Sequence, residues 1–162
     1  MTEQDAEVIQ SWPVYPEEFK DLDYALREAG WISEYLGKNG TTICFAEDSG
    51  VLIGFAILSR DDVDGKSRRA EFRIALHPYI LGQGAGEKLA RMTIWKGFGE
   101  LGFQRIYLIV RRSNPRARKL YVHCGFKDTG EYRKEVNGIV VDFHEMELEI
   151  ENFKDGWGHE ND

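Results

Sequence analysis

Cysteine is scarce in this chain of 162 residues: Cys44 and Cys124 are the whole complement. One falls in an expected strand and the other at an expected helix end, with no local spacing pattern. That usage fits a reducing compartment and argues against a disulfide framework. Proline is also rare, with four residues, while 42% of the chain is hydrophobic and 30% charged. Bulk disorder and fibrous repeats are excluded by that balance. No run approaches the ~20 apolar residues of a membrane span. The opening Met1-Thr2-Glu3-Gln4-Asp5 lacks the basic-then-apolar order of a secretory leader. A cytoplasmic protein without a membrane partner is expected. Positive charge is in deficit, 21 Lys and Arg against 28 Asp and Glu, for a net charge of -7. This speaks against nucleic acid as a partner and leans toward small cations.

What is present reads as one domain over residues 11–150, between a loose acidic segment at 1–10 and a loose acidic tail at 151–162. Leu22, Leu26, Ala29, Ile32 and Leu36 recur at helical spacing between Pro16 and Leu36, interrupted at Gly30. Trp12, Phe19, Trp31 and Tyr35 are the aromatic company of that face. Strands are expected at 41–47 and 51–59, turning at Asp48-Ser49-Gly50, and again at 70–76. A helix follows at 84–99, with Ala85, Leu89, Ala90, Met92 and Ile94 on its apolar arc. Ile106–Val110 is nearly continuously apolar, as in a strand buried on both faces. Asn114 and Pro115 open a helix that Gly125 ends. The strands at 126–131 and 139–150 join around Asn137-Gly138. The sum is an α/β fold, one mixed sheet with helices on its faces, in which the helices after Leu76 and Val110 are crossovers lining a ligand crevice.

Leu81-Gly82-Gln83-Gly84-Ala85-Gly86 lies between a strand and a helix. Glycines there permit positive φ and leave backbone N–H groups open at the positive end of a helix dipole, a setting for phosphate. The turn alone is also compatible with a bare strand-to-helix connection, the lesser of the two readings. A nucleotide P-loop needs Gly-Lys-Ser/Thr, whereas Gly86 is followed by Glu87-Lys88-Leu89. A dinucleotide fingerprint belongs directly after the first strand, and half the chain precedes this one. Arg111, Arg112, Arg116, Arg118 and Lys119 form a local reversal of charge, suited to further phosphates or simply solvated. Charge on both flanks of one crevice points to an extended ligand such as coenzyme A or a nucleotide.

Together these stretches resemble the GNAT superfamily of acyl-CoA-dependent N-acyltransferases, closest to an uncharacterised bacterial subset. Ala70-Glu71-Phe72-Arg73-Ile74-Ala75-Leu76-His77-Pro78 is similar to the family's fourth strand, and Gly82–Gly86 to its pyrophosphate loop. Asn114-Pro115-Arg116-Ala117-Arg118-Lys119-Leu120-Tyr121-Val122-His123-Cys124-Gly125-Phe126 matches the signature N-x-x-A-x-x-L-Y-x-x-x-G-F. Leu81 departs from the family's Q/R at the loop's first position, which leaves the diphosphate to backbone donors, Gln83 and the arginines.

The resemblance implies a GNAT-like mixed, mostly antiparallel twisted sheet flanked by helices, and transfer of an acetyl group from acetyl-CoA to a primary amine of a small molecule or peptide in a ternary complex. It places Gly82, Gln83, Gly84, Ala85 and Gly86 at the diphosphate, and main-chain groups of Ile74 and Leu76 at the pantetheine arm and oxyanion. Asn114, Arg116 and Lys119 are further donor-binding candidates, and Tyr121 is placed near the thioester sulfur as the thiolate's acid. An alkylamine is largely protonated at neutral pH, so a base is needed. Glu71 on the fourth-strand stretch and His144 on the last strand are the candidates, each against an ordinary surface role. The acceptor is expected to be cationic, and a homodimer through exposed aromatics or the final hairpin is left open. His77, His123, His144 and His159 are dispersed, so no metal is expected. A non-catalytic acyl-CoA-binding or regulatory module is the alternative.

Overall fold

The computed structural model describes residues 2–17, 26, 31–62, 65–136 and 138–157. Among these residues the helices are α1 (Glu3–Gln10), α2 (Trp31–Tyr35), α3 (Ala85–Gly99), α4 (Pro115–His123) and α5 (Ile150–Trp157). The strands are β1 (Thr41–Asp48), β2 (Val51–Arg60), β3 (Arg69–Leu76), β4 (Arg105–Arg111), β5 (Lys127–Val136) and β6 (Ile139–Glu149), in the sheet order β1-β2-β3-β4-β6-β5. β1–β2, β4–β6 and β5–β6 pair antiparallel, and β3–β4 parallel. The expected mixed, mostly antiparallel sheet with flanking helices is therefore found. Within it the chain forms two compact units, Met1–Ser59 with Arg73–Thr93, and Arg60–Phe72 with Ile94–Asp162.

In the first unit, β1 and β2 turn at Ser49 (φ 52°) and Gly50 (φ 79°). Two left-handed residues match the strand twist of a tight hairpin, as the sequence suggests. Ile9, Leu26, Phe55 and Ile57 are the apolar centre, joined by Trp12, Tyr15, Ile32, Tyr35 and Ala75. The loose segment expected at 1–10 is instead α1. The Thr2 hydroxyl accepts the Asp5 N–H while the Asp5 carboxylate accepts the Thr2 N–H, a reciprocal cap. That cap and the full burial of Ile9 hold a helix despite its acidity. Of the helix expected across 16–36, α2 is seen; Phe19, Leu22, Ala29 and Gly30 lie outside the described residues.

At Gly54 of β2, a Cβ would stand 2.8 Å from Leu76 Cδ2 and 3.3 Å from the Ala75 carbonyl oxygen. Glycine there lets the end of β3 lie close against β2.

In the second unit, Ile106, Leu108 and Val110 of β4 and Met146 and Leu148 of β6 are buried on one face. A Cβ on Gly125, just past α4, would meet Leu148 Cδ1 at 3.2 Å, which identifies that face as the α4 side. Phe72 packs there too, its ring centroid 6.2 Å from Tyr121 and 6.4 Å from Phe126. β4 is thus fully buried on that face, while Tyr107 and Ile109 on its other face are only half-buried, a correction to the two-sided burial expected of it. The tail expected to be loose begins as α5, with Phe153 buried 5.2 Å from Phe98. Asn137 of the final turn lies outside the described residues, while Gly138 takes φ 81°.

Candidate functional site

The end of β3 is heavily tied down. Tyr15 Oη donates to the Leu76 carbonyl at 2.8 Å, and the His77 N–H to the Ile53 carbonyl at 2.8 Å. His77 Nδ1 accepts the Tyr79 N–H at 3.1 Å and caps a single 3₁₀ turn, Pro78–Ile80. The loop follows. Gly82 and Gly84 take φ 81° and 84°, conformations that L side chains rarely hold. A Cβ on Gly84 would meet nothing within 4 Å, so geometry of the backbone, not crowding, calls for glycine.

Gln83 Nε2 donates to the Tyr79 carbonyl at 3.2 Å, so this side chain braces the loop from within. α3 starts at Ala85, with the Lys88 N–H donating to the Gly84 carbonyl at 3.3 Å. The N–H groups before Lys88 have no carbonyl a turn behind them in the helix, which leaves open donors at its positive end. Gly86, in the first turn of α3, is buried. Glu87, the one acid in the first turn, is bonded to Arg91 at 2.7 Å, which offsets its charge beside this terminus. An exposed, glycine-built turn with open backbone donors fits a diphosphate. Ile74 and Leu76 are half-buried, and the Leu76 carbonyl shares its capacity with Tyr15.

In the second unit Tyr121 sits in α4, 8% exposed, its ring edge-on to Phe72 and 5.9 Å from Phe126. The Asn114 side chain accepts the Ala117 N–H at 3.2 Å and caps α4, as its position suggests. The cationic cluster is partly spent on β5, because Arg112 pairs with Glu131 and Arg118 with Asp128. Arg111 lies over the Phe143 ring. Arg116 and Lys119 are exposed on α4.

The two base candidates fall on opposite faces. Glu71 neighbours Phe72 in β3, so its side chain points away from the α4 side. His144 pairs with Val110 and shares its face with Met146 and Leu148, on the α4 side. They are alternatives, not partners.

Around Glu71 lies a cluster that sequence reading missed. Arg69 donates to Asp61 at 3.0 Å, to Glu147 at 3.2 and 3.3 Å and to Glu145 at 3.4 Å. Its guanidinium carbon stands 3.6 Å from the Tyr107 ring centroid. The Tyr107 hydroxyl donates to Asp61 at 2.9 Å. Burial, then the charges of Glu71 and Asp61, push the Tyr107 phenol far up from its usual range. Burial opposes the charge of Arg69, but bonds to Asp61 and Glu147 outweigh it and raise its affinity for the proton. The signal available beforehand was period-two alternation of Glu145, Glu147 and Glu149 on one face. Among the described residues no group of three or more His, Cys, Asp or Glu is placed to hold a metal ion.

The acetyltransferase (GNAT) family model matches residues 7–126, which include β3, the glycine loop and α4. The chain belongs to the GNAT family. This GNAT protein is 34% identical to the spermidine N(1)-acetyltransferase of Escherichia coli K12 over 79 residues. That match covers 48% of this chain and 42% of the relative, less than half the length of either. Among solved structures it is similar to a spermidine N-acetyltransferase chimera from Vibrio cholerae and hSSAT, with 25% identity and a TM-score of 0.74 over 96% of this chain and 95% of that one. The Vibrio cholerae spermidine N-acetyltransferase in complex with CoA and spermine shares the fold at 24% identity, TM-score 0.74, and 94% of each chain.

Proposed function

We propose that this GNAT protein transfers an acetyl group from acetyl-CoA to a primary amine, with polyamines as the acceptor class. The carrying observation is the exposed turn at Gly82 and Gly84, both at positive φ, inside the family match. Backbone N–H groups of Gly82–Gly86 would hold the donor's diphosphate, with Arg116 and Lys119 adding charge and Asn114 holding α4 in place. Main-chain groups of Ile74 and Leu76 would take the pantetheine arm and the developing oxyanion. It is family membership that links these residues of the two units into one reaction. The acceptor class is supported by the relatives' names and by the net charge of -7, which favours approach of cations.

In the ternary complex the amine nitrogen attacks the thioester carbonyl and the C–S bond breaks. Tyr121 would give its phenolic proton to the departing thiolate. The proton released by the amine goes to Glu71, directly or through water, with His144 as the alternative base. Half-buried Cys44 and buried Cys124 are free thiols, which suits the cytoplasmic setting we propose.

Release of CoA thiol from acetyl-CoA, followed with spermidine, spermine, amino acids and peptides, tests the reading. Turnover is expected with the polyamines, reduced on the order of a hundredfold or more in Tyr121→Phe. Donor binding without thiol release from any acceptor would mark a binding module instead.

A further inference from the structure

We infer that His77 is a positioning residue for the donor loop, bracing Gly82–Gly84 through the acceptor at its Nδ1; this rests on the reading above that the loop carries the donor's diphosphate. Two hydrogen bonds make the connection. His77 Nδ1 accepts the Tyr79 N–H at 3.1 Å, and the Tyr79 carbonyl accepts Gln83 Nε2–H at 3.2 Å. Gln83 is the residue between the two positive-φ glycines. Pro78, first in the 3₁₀ turn, has no N–H to offer, so the imidazole contact to Tyr79 is the cap of that turn.

The ring is held where this requires. Its centroid is 5.3 Å from that of buried Trp12 and 5.1 Å from that of Tyr79, which is 75% exposed. The backbone on either side is fixed as well, by the bonds from Tyr15 to Leu76 and from His77 to Ile53. An acceptor at Nδ1 demands the neutral imidazole with its proton on Nε2. Burial lowers the ring's affinity for a second proton below the ordinary value, and is the cause of that shift. Among the described residues the titratable side chains beside it are Tyr79, whose ring lies against the imidazole, and Tyr15, bonded to the adjoining Leu76 carbonyl. Trp12 carries no charge. Protonation would set an Nδ1–H against the Tyr79 N–H, two donors face to face. The turn, Gln83 and the loop would then lose their brace.

The test is the Kd of acetyl-CoA by titration calorimetry from pH 5.5 to pH 7.5. His77→Asn keeps an acceptor oxygen at the cap without titrating. His77→Phe keeps a ring for Trp12 and removes the acceptor. At pH 7.5, His77→Phe should bind about fivefold more weakly than the natural protein, the size of one lost cap bond. His77→Asn should bind within about twofold. On acidification the natural protein should lose more affinity than His77→Asn, by up to about fivefold, while the slope of His77→Asn reports the donor's own titration. Equal binding by His77→Phe, or superposed pH profiles for the natural protein and His77→Asn, would overturn the assignment. Should His77→Phe fold poorly, exposed Gln83→Leu breaks the second bond, with about threefold weakening expected and unchanged affinity counting against it. Absence of acetyl-CoA binding by the natural protein at every pH is a separate outcome, and overturns the donor reading together with this one.

Discussion

The glycine loop after β3 and the Arg69 cluster are both polar, yet they arise in different ways. The loop is local: six consecutive residues, Leu81–Gly86, carry its conformation, and Gly82 and Gly84 hold φ angles that few other residues tolerate. The cluster is assembled from four separated stretches, with Asp61, Arg69, Tyr107 and the pair Glu145 and Glu147 meeting across strand register. A local device is set by residue type; an assembled one depends on the ladder. Substitution in the first should change ligand affinity and leave folding alone. Substitution in the second should do the reverse.

The largest expected effect lies in the loop. Gly84→Val places a β-branched residue at φ 84°, with strain on the order of 2 kcal/mol. Because Gly84 is exposed and a Cβ there meets nothing within 4 Å, the loop can relieve that strain by leaving its conformation. Acetyl-CoA affinity should fall roughly thirtyfold by calorimetry, with little change in Tm. Parallel losses of affinity and Tm would blur the distinction between the regions.

Arg69→Met is the converse. It leaves Asp61, Glu145 and Glu147 without their shared cation on a half-buried face. After allowance for solvent at a partly exposed site, a loss of about 2 kcal/mol is expected in denaturant unfolding. Acetyl-CoA affinity should be retained. A stability matching the natural protein would mean that the three ion pairs contribute nothing net.

The smallest effect is at high pH. The Tyr107 phenol titrates well above its unfolded value, so the folded state holds the proton more tightly. Its stabilising contribution is complete below the unfolded pKa of about 10 and is lost as pH rises from there through the folded one. Unfolding free energy should therefore decline above about pH 10 more steeply in the natural protein than in Tyr107→Phe. Parallel profiles would remove Tyr107 from the account.

The same contrast explains what could be read from the chain. The Ser49-Gly50 turn, the Asn114 cap and the glycine loop were legible because each depends on neighbouring residues. α1 was hidden by its acidic composition, since the value of Thr2 as a cap and of Ile9 as an anchor appears only when the core receives them. α5 was missed in the same way, for Phe153 finds Phe98 from a distant helix. β4 read as two-sided because Tyr107 counts as apolar in a sequence window, whereas its hydroxyl binds Asp61. Placing Glu71 and His144 on opposite faces needed the β3–β4 and β4–β6 registers together. No spacing within one strand contains that information.

Backbone amide resonances followed by NMR during titration with CoA test the central claim most directly. The account predicts that the largest shifts fall at residues 82–87, with saturation at a common Kd, and that Gly84→Val weakens them. Saturable binding that leaves these amides unmoved while perturbing another part of the chain would contradict it.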